Sequence, residues 1–591
     1  MAIWPSIIAM FIEQADRLGD KPFLWAKSEA AYTSISWREA RDQVLALARA
    51  LRDLGIVHGD RVILCGENRP EWMIANLGII ASGAITVPAY VTNTVHDHQH
   101  ILSDSGAKAA IVSTTKLADR LIPAARRSSD VDFVISMEAP ESVSMVRPRV
   151  LSWEGVLADG WASETEIAPE AIGIDETCVV IYTSGTGGTP KGVMLSHRAI
   201  LHNCHGAEDA LREIHLGNDV FLSFLPLSHA YEYTAGQCFP IYVGAEIYFT
   251  EGLEYLTRNL AEARPTLMTA VPRLYEVMYE RIMRNIEKQG GLKAKMFLRT
   301  VALGRKKIEN GRLGPIDTLL DLLLDKLVRD KVRKTFGGRL KALVSGGAPL
   351  NYDIGTFFVA LGVRLLQGYG QTEAAPVISV NRPKLNKLHT VGPPLIDTEV
   401  RIADDGEILV RGEMLMQGYW RNPEATRQAI RDGWLHTGDI GRFDDDGYIE
   451  ITDRKKDIIV NSGGDTLSPQ RVEGFLTVQP EIGQAMVHGD KRPHLVAVLV
   501  PNKDFAADWA KTAGKDSDLD TLIADPAFIA VIDNAVGRVN KDLSVNERVR
   551  RFILIAEPFT VDNEMMTPTL KVRRHKVREA YGERLEALYK S

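Results

Sequence analysis

The sequence predicts an α/β fold, in which a large multi-layer N-terminal domain with parallel sheets precedes a smaller α+β domain. Two observations carry that expectation. Between Thr33 and Thr250, short apolar runs such as Arg61–Cys65 and Ala109–Ser113 alternate with helical stretches such as Trp37–Leu54, as strands linked by crossover helices would. The length, 591 residues, and a composition of 45% hydrophobic and 25% charged residues supply several domains' worth of core and exclude a disordered or fibrous chain.

Taken in order, Met1 to Ile12 is apolar but lacks a basic leader and a small-residue cleavage site, so no export signal is expected. Trp72 to Val95 runs 24 residues without a charge, long enough for a bilayer. Asn76, Gly78, Ser82, Gly83, Thr86, Pro88 and Thr92 break it, so the expectation is a buried helix, a glycine turn and a strand at Ala84–Tyr90 rather than a transmembrane helix. His96, His98 and His100 alternate as on one strand face, but helical spacing would scatter them and no cysteine is near, so they are discounted as a metal site. The apolar runs Val220–Leu225, Glu246–Phe249, Leu267–Ala270 and Ala342–Ser345 continue the strand pattern.

Between Arg281 and Leu340 sixteen Lys or Arg stand against six Asp or Glu, inside a chain whose net charge is −7. With Leu319, Leu320, Leu322, Leu323, Leu327 and Val328 at helical spacing, residues 281–340 read as an amphipathic basic helical insertion. It is either a contact for anionic lipid, through basic groups such as Arg305, Lys306 and Lys307, or a solvated flank. A turn at Asp444–Gly447 leads through Tyr448–Thr452 into the charged run Asp453–Asp457, which sets the domain boundary: residues 1–452, then 453–591. Beyond it, Ser468 as N-cap and Pro469 at the first helical position mark a helix start, and strands are expected near Gln484–His488 and His494–Val500.

The mild acidic excess argues against a nucleic-acid partner. Four cysteines, Cys65, Cys178, Cys204 and Cys238, lie far apart without a Cys-x-x-Cys pair, so neither a disulfide framework nor a zinc knuckle is expected, and a reducing compartment is the default.

The densest chemical signal is Cys178–Gly192, an apolar strand entering a run of hydroxyls and glycines closed by a lysine. Gly185, Gly187 and Gly188 let backbone N–H groups approach phosphate oxygens, Thr183, Ser184, Thr186 and Thr189 add hydroxyl donors, and Lys191 adds a cation. It is not a Walker A loop, because no Gly-Lys-Ser/Thr opens a helix and Val193–Leu195 continues as strand.

This loop resembles the phosphate-binding signature of the adenylate-forming (ANL) superfamily, which includes acyl-CoA synthetases, luciferases and peptide-synthetase adenylation domains. Gly346-Gly-Ala-Pro349, Gln367-Gly-Tyr-Gly-Gln-Thr-Glu373, Trp434-Leu-His-Thr-Gly-Asp439, Asp453-Arg-Lys-Lys-Asp457 and Thr567-Pro-Thr-Leu-Lys571 resemble its further motifs, in the family's order. The resemblance implies ATP, Mg²⁺ and CoA as co-substrates and cofactor. It implies that Glu373 and Thr186 serve the metal, Thr372 an α-phosphate oxygen, and Gly346, Gly347 and Ala348 with Gly368, Tyr369 and Gly370 the adenine, on which Tyr369 stacks. Asp439 would take the ribose hydroxyls, assisted by Arg454, while Lys571 would sit between carboxylate and α-phosphate and His229 beside the acyl group, with Tyr231 and Tyr233 walling its pocket. Asp453 would be the hinge on which a mobile C-terminal domain swings, exchanging Lys571 for the segment 455–466.

Within the superfamily, Phe224–Glu232, Pro272–Glu276 and the helical insertion look most like long-chain fatty acyl-CoA synthetases. The implied activity is ATP-dependent conversion of a fatty acid to acyl-AMP and then, with CoA, to acyl-CoA, in a cytoplasmic protein or one at the inner face of a membrane. An acyl-AMP ligase serving a carrier protein, a ligase for shorter or aryl acids, and a non-catalytic lipid-binding protein remain open, as does the oligomeric state. Two departures stand out: Gly187 occupies a frequent threonine position, and Asp465-Thr-Leu-Ser468 replaces a more frequent Asn-Ile-Ala wording.

Overall fold

The computed structural model describes every residue except 1–3, 29–30, 140–145, 184–188, 463–464, 568–570 and 591. Two eight-stranded sheets carry the N-terminal part. In the first, Arg61–Cys65, Ile85–Ala89, Ala109–Val112, Phe133–Ser136 and Arg149–Ser152 run parallel, and Ile85–Ala89 pairs with Thr177–Thr183. Their residues are buried on both faces, which is why they read as continuous apolar runs rather than alternating ones. Thr177–Thr183 then pairs antiparallel with Lys191–Ser196, and the edge is closed by Gly418–Tyr419.

The second sheet sets Glu246–Phe249, Val220–Ser223, Leu267–Ala270, Ala342–Ser345 and Leu365–Gly370 parallel, flanked by antiparallel Val377–Val380 on one side. The loops leaving the carboxyl ends of these strands are the ones that carry the sequence motifs, the position where open α/β sheets form their crevices. A five-stranded sheet spanning Glu399–Ile402 to Ile449–Arg454 follows.

Trp72 to Val95 folds as expected. The helix Pro70–Ala81 is fully buried, Gly83 turns the chain at φ +78°, and Ile85–Ala89 is a strand. Among the described residues no helix is long and apolar enough to cross a membrane. His96, His98 and His100 lie on the helix Val95–Ser105, so the strand alternation that a shared metal face would need does not exist.

The C-terminal residues build a three-stranded sheet in which Leu495–Pro501 lies between antiparallel Ile482–His488 and parallel Val549–Leu554. Ser468 caps the helix Pro469–Thr477, its hydroxyl accepting from the Arg471 N–H. Val472, Leu476, Leu499, Phe528 and Ile532 close a core separate from those of the two large sheets.

The basic insertion is helical, comprising Gly291–Asn310, Pro315–Leu324, a π-helical turn Asp325–Arg329 and Asp330–Thr335. Its charges are arranged otherwise than the composition suggests. Lys306 meets Asp317 at 2.7 Å, Lys307 meets Asp321 at 3.8 Å and Arg305 meets Asp353 at 3.3 Å, so the three expected lipid-contacting cations are engaged in ion pairs with the protein itself. The buried Arg329 donates to Asp321 at 2.7 Å. The leucines face solvent as well: Leu319, Leu322 and Leu323 are all exposed, while Asp321 is buried beneath them.

Candidate functional site

Thr183 ends one strand and Lys191 begins the next, and the two are direct cross-strand partners. The strands on either side of the candidate phosphate loop are therefore paired up to its two ends; Ser184, Gly185, Thr186, Gly187 and Gly188 lie outside the described residues. Thr189 is exposed, and the Lys191 ammonium lies 5.1 Å from the centre of the Tyr419 ring. The hydroxyl of Tyr419 donates to Glu373 Oε1 at 2.8 Å, and that hydrogen bond and burial hold the phenol well above its usual range. One aromatic side chain thus joins the lysine of one sheet to the carboxylate of the other. Sequence reasoning missed Tyr419, which sits in a two-residue edge strand next to the Lys191 strand without a motif of its own.

Thr372 and Glu373 sit on a single helical turn directly after Leu365–Gly370. Gly370 is required there, because a Cβ would lie 2.0 Å from the Pro376 carbonyl oxygen. Gly346 and Gly347 follow the neighbouring strand, with Ala348 exposed beyond them. A Cβ on Gly346 would come within 3.1 Å of the Tyr231 ring, whose hydroxyl donates to the Val344 carbonyl at 2.9 Å. Tyr233 turns away, fully buried with its hydroxyl on Asn76, so of the two tyrosines expected around the acyl group only Tyr231 touches this wall.

Asp439 and Arg454 are cross-strand partners. The buried Asp439 carboxylate accepts from Arg454 Nε at 3.1 Å and from the Tyr369 hydroxyl at 2.5 Å. Gly368 and Tyr369 belong to the same strand that delivers Thr372, which brings the adenine and ribose candidates together.

Lys571 reaches this cleft from the C-terminal chain. Its N–H donates to the Thr567 hydroxyl and its carbonyl accepts from the Thr567 N–H; Pro568, Thr569 and Leu570 lie outside the described residues. Although Lys571 as a residue is exposed, burial of its ammonium pushes it down to about 8, and the Arg454 cation adds to the effect. Asp439 and Glu373 pull the other way. His229 lies within the same field: burial, with a contribution from Lys571, holds its imidazole down to about 4. Its Nδ1 accepts the Tyr231 N–H at 3.2 Å, which leaves the proton of the neutral ring on Nε2. Tertiary structure thus brings Lys571, His229, Glu373, Asp439 and Arg454 from far-apart motifs within electrostatic reach of one another.

Two buried carboxyl groups flank these residues. Glu232 accepts from Ser223 at 2.7 Å and from Thr269 at 2.6 Å, tying two strand ends to the segment that carries His229, and burial pushes it up to about 7. Asp453, the expected hinge, is pushed up to about 6 by burial, against the pull of the Arg454 N–H, Ser468 and Arg574.

Residues 11–420 match the model of the AMP-binding enzyme family, and residues 456–591 match the AMP-binding enzyme C-terminal domain. The long-chain-fatty-acid–CoA ligase FadD15 of Mycobacterium tuberculosis is 33% identical over 568 residues, covering 95% of this chain and 93% of that protein. Long-chain-fatty-acid–CoA ligase 1 of Cavia porcellus is 30% identical, covering 95% and 83% respectively. In fold, the chain is similar to the crystal structure of the adenylation domain of a carboxylate reductase from Mycobacterium chelonae, with a TM-score of 0.81 at 23% identity over 99% of this chain and 91% of that one.

Proposed function

We propose that this chain, which belongs to the AMP-binding enzyme family, is a long-chain fatty acid–CoA ligase that forms acyl-AMP and pyrophosphate from fatty acid and ATP, then acyl-CoA and AMP with CoA. The observation that carries the reading is the arrival of Lys571 beside Asp439, Glu373 and His229. Carboxylate and α-phosphate repel one another, and a cation in a crowded cleft offsets that repulsion where water cannot. Lys191 supplies a second positive charge beside the candidate phosphate loop. Asp439, held by Arg454 and Tyr369, offers an acceptor to the ribose diol. Neutral His229 beside the acyl carbonyl can donate from Nε2 without adding charge.

Magnesium fits the donor set. Among the described residues no cluster of three or more acidic, His or Cys side chains forms a cage, and Mg²⁺ characteristically takes one or two carboxylates, waters and substrate phosphates. Glu373, which accepts from Tyr419, would be that carboxylate, and Thr186 would be the second ligand. When bound, the ion would neutralise phosphate charge. The described arrangement suits the first half-reaction, and the second requires Lys571 to leave. Asp453 is the pivot, and Arg284–Asp504 at 2.7 Å and Asn351 to the Gly474 carbonyl at 3.3 Å are contacts that a swing would break.

The test is AMP release with ATP, magnesium and palmitate, with and without CoA, beside acetate, octanoate and benzoate. CoA-dependent release strongest with palmitate is expected. Palmitate-dependent pyrophosphate without CoA turnover would assign a carrier-protein acceptor instead, and preference for benzoate or acetate would overturn the long-chain reading.

A further inference from the structure

The helix Pro315–Leu324 and the turn that continues it are built inside out. Asp317, Asp321 and Asp325 point at the protein, where Arg299, Lys306, Lys307, Arg329 and Arg333 pair with them. The opposite face presents Ile316 at 85% exposure, Leu319 at 73%, Leu322 at 64%, Leu323 at 55% and Leu327 at 42%. Single exposed apolar side chains need no explanation, but five along about three turns of helix do. Of the seventeen large apolar side chains exposed among the described residues, seven lie between Leu292 and Leu327. Leu324 and Val328 on the inner side are already buried in the core beneath the second sheet, so this segment has an apolar anchor and a second apolar face left over.

The charge distribution selects the occupant. Every acidic side chain of the helix is engaged with a cation of the protein, whereas Arg312, Lys326 and Lys331 at its ends and flank are exposed. An apolar strip rimmed by cations and cleared of free carboxylates complements an apolar phase bounded by anions. We infer that the outward face Ile316–Leu319–Leu323–Leu327, rimmed by Lys326 and Lys331, docks the protein onto the surface of an anionic lipid bilayer, with the leucines and not the paired Arg305, Lys306 and Lys307 making the contact. The inference goes beyond the proposed activity but suits it, because a long-chain fatty acid partitions into the same phase.

The experiment is sedimentation of the full chain with phosphatidylglycerol-containing and pure phosphatidylcholine vesicles, without ATP or CoA, so that it does not depend on turnover. Preferential binding to the anionic vesicles is expected, and Leu319→Ser with Leu323→Ser should lower that partition about tenfold, as for two leucines withdrawn from an apolar phase. Lys326→Glu with Lys331→Glu should lower it too, and the wild-type binding should weaken with salt. Both positions are exposed, so AMP release with soluble octanoate should remain that of the wild type and certify the fold; loss of octanoate turnover in the wild type would count against the proposed function and leave the lipid result standing. Equal sedimentation of wild type and the leucine variant overturns the inference. So does a concentration-dependent dimer that the leucine variant splits, which would assign the face to a second copy of this chain.

Discussion

The cleft and the helical insertion are both places where acids meet bases, and they use the meeting oppositely. In the insertion Asp317 takes Arg299 and Lys306, and Asp321 takes Arg329, so charge is consumed in holding helices together. In the cleft Asp439 is bound by Arg454 and Tyr369, but Lys571 feels Asp439 and Glu373 with no ion pair to either among the described residues, and burial pushes it down to about 8, while Lys191 lies against the Tyr419 ring. A count of charges therefore says nothing about which are available to a ligand. What separates the two regions is that Lys571 is held by its backbone hydrogen bonds to Thr567 and Lys191 lies against the Tyr419 ring, leaving their charge for an incoming anion.

That contrast can be broken at its strongest point. Lys571→Ala should reduce the adenylation half-reaction about 100-fold or more, while conversion of preformed acyl-AMP with CoA stays largely intact; equal loss of both would refute the role assigned to Lys571. In the insertion the corresponding removal should cost stability instead. Arg329→Ala leaves Asp321 buried without its main partner, and urea unfolding should show a loss of about 3 kcal/mol with turnover per folded molecule unchanged. A smaller effect sharpens the ribose assignment: Asp439→Asn should raise the KM for ATP about tenfold, and an unchanged KM would remove Asp439 from the nucleotide. The proton on Lys571 gives a graded test. The ammonium is the useful form and is present below about pH 8, so kcat/KM for adenylation should fall as pH rises through that value, and Lys571→Arg should carry the fall out of range. The smallest expected effect is charge reversal at Arg305, Lys306 and Lys307, which should change vesicle binding less than twofold because those cations face aspartates.

Much of the frame was legible along the chain. Leu267–Ala270 and Ala342–Ser345 begin and end where their runs do, because strands covered on both faces read as near-continuous apolar runs. Ser468 and Pro469 mark their helix for a local reason, since a hydroxyl satisfies an orphan N–H and proline lacks one. Candidate site residues were legible where they sit in dense local motifs, as with Glu373, Asp439 and Lys571. Tyr419 was not, since its role depends on an edge strand lying beside Lys191 and a carboxylate arriving from the other sheet. The placement of Tyr233 was equally hidden: it is two residues from Tyr231, and the π-helical segment Glu232–Cys238 sends it to Asn76 instead.

By itself the sequence determined the alternating strands and helices, the run of hydroxyls and glycines between two strands, and the existence of a basic helical segment, because each is written in neighbouring residues through backbone freedom and hydrophobic period. Tertiary structure alone decided which charges remain for a ligand and which face of the leucine helix meets solvent. Pairing and burial are set by residues distant in the chain, and a salt bridge formed across helices reverses what the local composition implies.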